Sequence, residues 1–117
     1  MLPDKYIGRL IVAAHQVDDE LILTLADPAC NLVISDKGQS CCEVRWMSTD
    51  DNLSSLIGHR LTRIDCKDGP SELGYECHET MFVEVGTDSG FITLVTHNEH
   101  NGYYGGFYLQ IDEQPIA

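Results

Sequence analysis

The side chains most able to do chemistry lie in the segment THNEHNGYYGGF, residues 96–107. It contains His97 and His100, and two further candidate ligands, Cys41 and Glu43, alternate along an earlier predicted strand. Zinc is held by imidazole nitrogens, thiolate sulfurs and carboxylate oxygens, usually in a tetrahedral set. If the two strands are neighbours, Cys41, Glu43, His97 and His100 are the predicted zinc ligands. The open alternative is a polar hairpin end, since asparagine and glycine are typical turn residues.

The segment ECHE adds a second pair of candidate ligands, Cys77 and His78. Neighbouring residues of a strand point to opposite faces, so only one of the two can join a given site. Cys77 shares a face with Met81 and is predicted to be core, which leaves His78 as an alternative fourth ligand. Cys30 and Cys66 are interpreted as small buried side chains.

Catalysis would use Cys41 as the nucleophile and His97 or His100 as its base. No family-specific motif surrounds this cysteine, and the acidic neighbour Glu43 disfavours the thiolate that attacks. The chain also has no glycine-rich phosphate loop, no basic patch and no dinucleotide-binding fingerprint. We therefore expect that the protein is not an enzyme.

The elements that must position these residues are strands, because apolar residues alternate with polar ones along most of the chain. The residues predicted to share a face are Leu10, Val12 and Ala14; Leu21, Leu23 and Leu25; Leu32 and Ile34; Met81, Val83 and Val85; and Phe107, Leu109 and Ile111. Turn residues separate the runs, as at Asp18 and Asp19. The pattern predicts a mostly β single domain over residues 1–117, built as one antiparallel sheet or as a small β-barrel or sandwich.

The segment CCEVRWM continues the alternation as a further strand. By hydrophobicity, its core face is predicted to carry Cys42, Val44 and Trp46, because a pleat divides successive residues between two faces. Cys41, Glu43 and Arg45 are then directed away from the core.

One short helix is predicted at about residues 50–57, within STDDNLSSLIG. Thr49 and Asp50 are suitable N-terminal caps, and Gly58 is a typical stop. Leu53, Leu56 and the following isoleucine have the spacing of a buried helical stripe.

Acidity dominates the composition, with 19 Asp and Glu against 7 Lys and Arg and a net charge of −12. Nucleic acid and anionic membranes repel such a surface, whereas basic protein surfaces attract it. The partner-binding residues are predicted to be Asp18, Asp19, Glu20 and Tyr104. The alternative reading is that the charge only maintains solubility.

A cytoplasmic setting is expected from two features near the start of the chain. The apolar run at residues 10–14 is too short to span a membrane, and Asp4 is unfavourable in a secretory signal. The five cysteines are an odd number, which fits free thiols in a reducing compartment.

Two motifs carry a family resemblance. CCEVRWMSTDDNLSSLIG and THNEHNGYYGGF, taken in order, resemble an uncharacterised family of small phage and bacterial proteins with a Cys-Cys-Glu to Leu-Ile-Gly motif and a C-terminal Asn-Gly-Tyr-Tyr motif. The resemblance spans roughly residues 6–112 and implies a phage or mobile-element setting. After Tyr104 this chain has Gly-Gly-Phe, where other members carry polar residues. The family implies no catalytic residues.

Acidity, small size and this resemblance together favour a non-enzymatic binding protein. The expected partner is a basic host protein that handles nucleic acid, and the expected role is inhibition of the anti-CRISPR or anti-restriction type, because such inhibitors block basic surfaces by charge complementarity. The competing hypothesis is a small metalloprotein with Cys/His-based hydrolytic or regulatory chemistry. The two differ in whether the purified protein acts on generic substrates or only binds a partner.

Overall fold

The computed structural model describes residues 1–38, 43–72, 77–101 and 105–116. The strands in these ranges are β1 (Ile11–Val17), β2 (Glu20–Leu25), β3 (Cys30–Asp36), β4 (Val44–Ser48), β5 (Leu61–Glu72), β6 (Cys77–Thr87), β7 (Gly90–His100) and β8 (Leu109–Gln114). They form two four-stranded antiparallel sheets, with the orders β1-β2-β3-β8 and β4-β7-β6-β5. The predicted mostly β fold is confirmed, in the form of an open sandwich.

The core lies between the inner faces of the two sheets. Leu21, Leu23 and Leu25 of β2 are fully buried, as predicted. The other buried apolar side chains that were expected are Leu32, Ile34, Val83 and Val85. In β2 every second residue enters this layer, so the alternation of that strand was sufficient to identify its core residues.

Strand β1 departs from the predicted pattern. Its pairing with β2 shifts between Ile11 and Ala13, which marks a β-bulge. Ile11 is therefore fully buried and Val12 is exposed, so the expectation that Val12 faces the core is wrong. An extra residue in a bulge moves the side chains that precede it to the other face. At the other end of the chain, Phe107 precedes β8 rather than lying in it.

Strand β4 faces the opposite way from the prediction. The side chain of Arg45 is only 3% exposed and Met47 is buried, whereas Val44 is 60% exposed. Trp46 is half-buried on the same outer face as Val44, and Cys42, the third residue predicted on the core face, lies outside the described residues. Hydrophobicity failed here because Arg45 finds carboxylate partners inside the sandwich, and a charge is buried only when it is paired.

The predicted helix is a single 3-10 turn at Leu53–Leu56, capped by the Asn52 side chain, which accepts from Ser54 N at 3.0 Å. Leu56 is buried but Ile57 is 43% exposed, so the two do not share a buried stripe. The other helical element, Asp4–Tyr6, is also one 3-10 turn. No helix in the described part of the chain is long and apolar enough to cross a membrane.

Candidate functional site

Strand β7 separates the two histidines that were expected to bind one metal ion. The strand continues as far as His100, so the positions of His97 and His100, three apart, point to opposite faces of the sheet. His100 is buried on the inner face, and His97 is half-buried on the outer face. Cys41 lies outside the described residues. Among the residues that are described, no group of three or more His, Cys, Asp or Glu side chains is placed to hold a metal ion.

Glu43, the other predicted ligand, lies in a buried polar cluster between the sheets. Arg45 Nη1 donates to Asp36 Oδ2 at 2.6 Å, and Arg45 Nη2 donates to Glu43 Oε2 at 2.8 Å. Asn98 Nδ2 donates to the same Glu43 oxygen at 2.8 Å. The Asp36 and Glu43 side chains have no exposed surface. Since Asp36 belongs to β3 and Arg45 to β4, this ion pair joins the two sheets.

The same inner face carries a second polar contact at the end of β6 and β7. His100 Nε2 lies 2.5 Å from Glu79 Oε1, and the backbone N–H of Gly106 donates to that oxygen at 3.1 Å. A Cβ on Gly105 would collide with Glu79 Oε1 and lie 3.0 Å from His100 Nε2. The backbone at Gly105 can approach this histidine and glutamate because Gly105 has no side chain.

The outer face presents three neighbouring rings and one exposed valine, which together we call the aromatic patch: Trp46, His78, His97 and Val44. The rings of Trp46 and His97 are stacked with centroids 4.5 Å apart and an interplanar angle of 3°. His78 stacks against both rings. His78 Nε2 is 2.9 Å from His97 Nδ1, and Ser48 Oγ is 2.8 Å from His97 Nε2. Both ring nitrogens of His97 therefore have polar partners.

Carboxylates flank the aromatic patch along the sheet. The register places Glu72, His78, Glu99 and Val44 in one row across β5, β6, β7 and β4. A cleft of about 420 Å³ is lined by Glu72, His78, Glu99 and their neighbours. Burial lowers the pKa of His97, and the charge of His78 lowers it further, while Glu99 opposes the shift. At neutral pH this site therefore offers the neutral imidazole of His97 near the carboxylates of Glu72 and Glu99.

The acids predicted to bind a partner lie at the turn between β1 and β2, next to β4. The backbone N–H of Met47 donates to Asp18 O at 2.9 Å, so this turn adjoins the strand that carries Trp46. Asp18 is exposed, and Asp19 and Glu20 are partly exposed. Tyr104, the other predicted contact residue, lies outside the described residues.

Ser48 is the residue of this site that the sequence did not predict, whereas His78 was expected as an alternative ligand on the face opposite Cys77. Both are on outer faces of their strands, which the alternation of each strand can indicate once its inner face is known. Their proximity to His97 depends on the pairing of Thr80 with His97 and of Trp46 with His97. Such a register between strands that are distant in sequence is not encoded in either strand alone.

No curated protein and no solved structure matches this chain. One family model does match, over residues 4–109, and its description is that of a domain of unknown function, DUF7448. The match covers most of the 117 residues, including every strand except the last five residues of β8. The chain therefore belongs to the DUF7448 family.

Proposed function

We propose that this protein is a small acidic binding protein without enzymatic activity, which docks through the outer face of the β4-β7-β6-β5 sheet on a basic host protein that handles nucleic acid. The role is inhibition of the anti-CRISPR or anti-restriction type, in the cytoplasm of a cell invaded by a phage or mobile element. The single observation that carries the docking face is the aromatic patch: Trp46 and His97 are stacked in parallel on a face that solvent reaches.

The aromatic patch has the composition of an interface centre. Trp is among the residues that contribute most to binding when a partner excludes water from them. Here the ring of Trp46 is held by stacking on His97 and His78, so little side-chain freedom remains to be lost on association. Val44, which is 60% exposed, and Phe91, which is 59% exposed, extend the apolar surface on the same outer face.

The rim of the patch supports a basic partner. Glu72 and Glu99 are exposed in the row that contains His78, and Asp18 adjoins β4. Asp51 Oδ2 accepts from Thr93 N at 2.8 Å, which brings another acid to the edge of β7. Charge of one sign around an apolar centre steers a partner of the opposite sign and fixes its orientation.

The experiment measures binding kinetics between the purified protein and a panel of purified basic nucleases and DNA-binding effectors. Neutralising Asp18, Asp19 and Glu20 together should slow association with a bound member of the panel. Affinity should fall as salt rises, since exposed charges are screened beyond about 8 Å at physiological ionic strength. Trp46→Ala should weaken affinity by at least about tenfold through faster dissociation.

The matched control neutralises Asp4, Asp27 and Asp112, which are exposed and lie away from the patch. This triple variant changes the net charge by the same amount, so its association rate should stay close to that of the wild type. If both triple variants slow association equally, the net charge of the protein controls association and the position of the acids beside the patch does not. If no basic protein in the panel binds at low salt, the proposed function is wrong.

A second candidate function, hydrolysis, is favoured by the hydrogen-bond order on the outer face. Ser48 Oγ, His97 and His78 follow one another at 2.8 Å and 2.9 Å, as a nucleophile, a base and a group that orients the base do in hydrolases. Its test is hydrolysis of generic esters, phosphoesters and peptides, with and without zinc. Activity that is lost in Ser48→Ala and in His97→Ala but kept in His59→Ala would support hydrolysis. The absence of activity on all of these substrates would exclude it.

A further inference from the structure

We propose that His78 and His97 form a binding site for a single divalent transition-metal ion, zinc in the simplest case, on the outer face of the β6-β7 pair. The site differs from the one expected from the sequence, because His97 keeps its role while His100 and Glu43 are on the inner face. The two imidazole nitrogens that would bind the ion, His78 Nε2 and His97 Nδ1, already lie 2.9 Å apart.

The other nitrogen of His97 has the partner that a metal-binding histidine needs. With Nε2–H donating to Ser48 Oγ across 2.8 Å, the lone pair is on Nδ1, which faces His78. A metal-bound imidazole commonly donates its second N–H to such an acceptor, which fixes both the tautomer and the ring orientation. Stacking on Trp46 at an interplanar angle of 3° holds the ring plane in addition.

The distance between the two nitrogens requires only a small adjustment. In the metal-free protein a proton between Nε2 and Nδ1 accounts for the 2.9 Å separation. Two metal–nitrogen bonds of about 2.0–2.1 Å at a tetrahedral angle place the nitrogens about 3.3 Å apart. To bind the ion through both nitrogens, His78 must carry its ring hydrogen on Nδ1 instead of Nε2, so that each nitrogen offers a lone pair. The two rings must also separate by about 0.4 Å and turn so that both lone pairs point at the ion.

No third His, Cys, Asp or Glu among the described residues completes a ligand group as the side chains stand, so Glu99 can join the two imidazoles only by rotating its exposed side chain. It lies on the outer face of β7, two residues from His97, and is directly opposite His78 in the register. Residues paired in this way have Cβ atoms about 4.5–5.5 Å apart, so the exposed carboxylate can turn towards the ion. Nearby Glu72 adds negative charge in the same row. Water completes a coordination shell that two imidazoles and one carboxylate leave open.

The experiment uses the single tryptophan as the reporter, since the chain has only Trp46 and it stacks on His97. The full-length protein, purified without chelator or affinity tag, is titrated with Cu²⁺, which quenches indole emission at short range. Zn²⁺ is then added as a competitor that restores the emission. One equivalent of Cu²⁺ should quench Trp46 with micromolar affinity, and Zn²⁺ should reverse it.

Three variants locate the ligands. His78→Asn and His97→Asn should each weaken the affinity by at least tenfold, and Glu99→Gln by a smaller factor. His59→Asn is the matched control, because His59 is also partly exposed beside a carboxylate, Asp88. The Cu²⁺ affinity of this variant should equal that of the wild type. Circular dichroism and the melting temperature verify that each variant is folded.

A measurement on the wild-type protein remains informative even if a variant unfolds. In long-range ¹H–¹⁵N spectra, Zn²⁺ should shift the imidazole nitrogens of His78 and His97 and leave those of His59 in place. The site is refuted if His78→Asn binds as tightly as the wild type, if quenching does not saturate at millimolar Cu²⁺, or if Zn²⁺ shifts His100 and not His78. None of these outcomes depends on a protein partner, so the docking function is tested separately.

Discussion

Replacing Arg45 by Met should destabilise the fold strongly, because Arg45 neutralises two carboxylates that have no contact with solvent. The guanidinium lies 2.6 Å from Asp36 Oδ2 and 2.8 Å from Glu43 Oε2. Asp36 Oδ1 also accepts from the backbone N–H groups of Gly38 and Tyr108, so the loss of Arg45 leaves a fixed, buried anion rather than one that can move to water.

The size of the effect follows from the burial of the three side chains, at 3% exposure for Arg45 and none for its partners. Removing one member of a buried ion pair costs about 3–5 kcal/mol. For a domain of this length, 1 kcal/mol shifts the melting temperature by about 3–5 °C. Arg45→Met should therefore lower the melting temperature by roughly 9–25 °C. Arg45→Lys keeps the charge but cannot contact both carboxylates with a planar guanidinium. Its melting temperature should lie between those of the wild type and Arg45→Met.

The assay is urea and thermal unfolding followed by Trp46 emission and circular dichroism. Arg63→Met is the matched control, since Arg63 also contacts two carboxylates, Asp65 and Glu84, but its side chain is 40% exposed. Surface ion pairs contribute little, because water and salt screen them, so its midpoint should hardly move. Equal shifts for the two arginine variants, or an Arg45→Met protein as stable as the wild type, would refute the role given to burial.

Three other predictions follow from the placement of single side chains. Leu23→Ala should lower the free energy of unfolding by about 2.7–5.0 kcal/mol. Ile22→Ala, at the neighbouring position on the outer face, should lower it much less. Similar losses for the two variants would mean that β2 does not face the core with Leu23. Burial raises the pKa of the Cys66 thiol, so its alkylation by iodoacetamide, followed by peptide mass spectrometry, should still be accelerating above the ordinary thiol pKa; a plateau below pH 8.5 would contradict this. Gly105→Ala should lower the melting temperature, because its Cβ would displace Glu79 Oε1, which then loses its contacts with His100 Nε2 and the Gly106 N–H. An unchanged melting temperature would show that this segment does not pack against the sheet.

The strand alternation by itself was sufficient to predict the class of fold and most of its core. Leu21, Leu23 and Leu25 are apolar at every second position and all three are fully buried, because a pleated strand can bury only one of its faces against a second layer. The net charge of −12 is likewise fixed by composition. Pairing of the strands into two sheets rather than one was left open, since alternation does not define which strands are neighbours.

Tertiary structure decided which face of β4 is inside and which histidines meet. Trp46 is more apolar than Arg45, yet Arg45 is the buried residue, because Asp36 contacts it from the other sheet. The sequence of β4 does not indicate which residue of the other sheet will pair with Arg45. His97 and His100 are close in sequence but on opposite faces, since the strand continues to His100 instead of turning after His97. His78 and His97 are 19 residues apart and in contact, because the β6–β7 register, set by the packing of the whole sheet, brings them side by side.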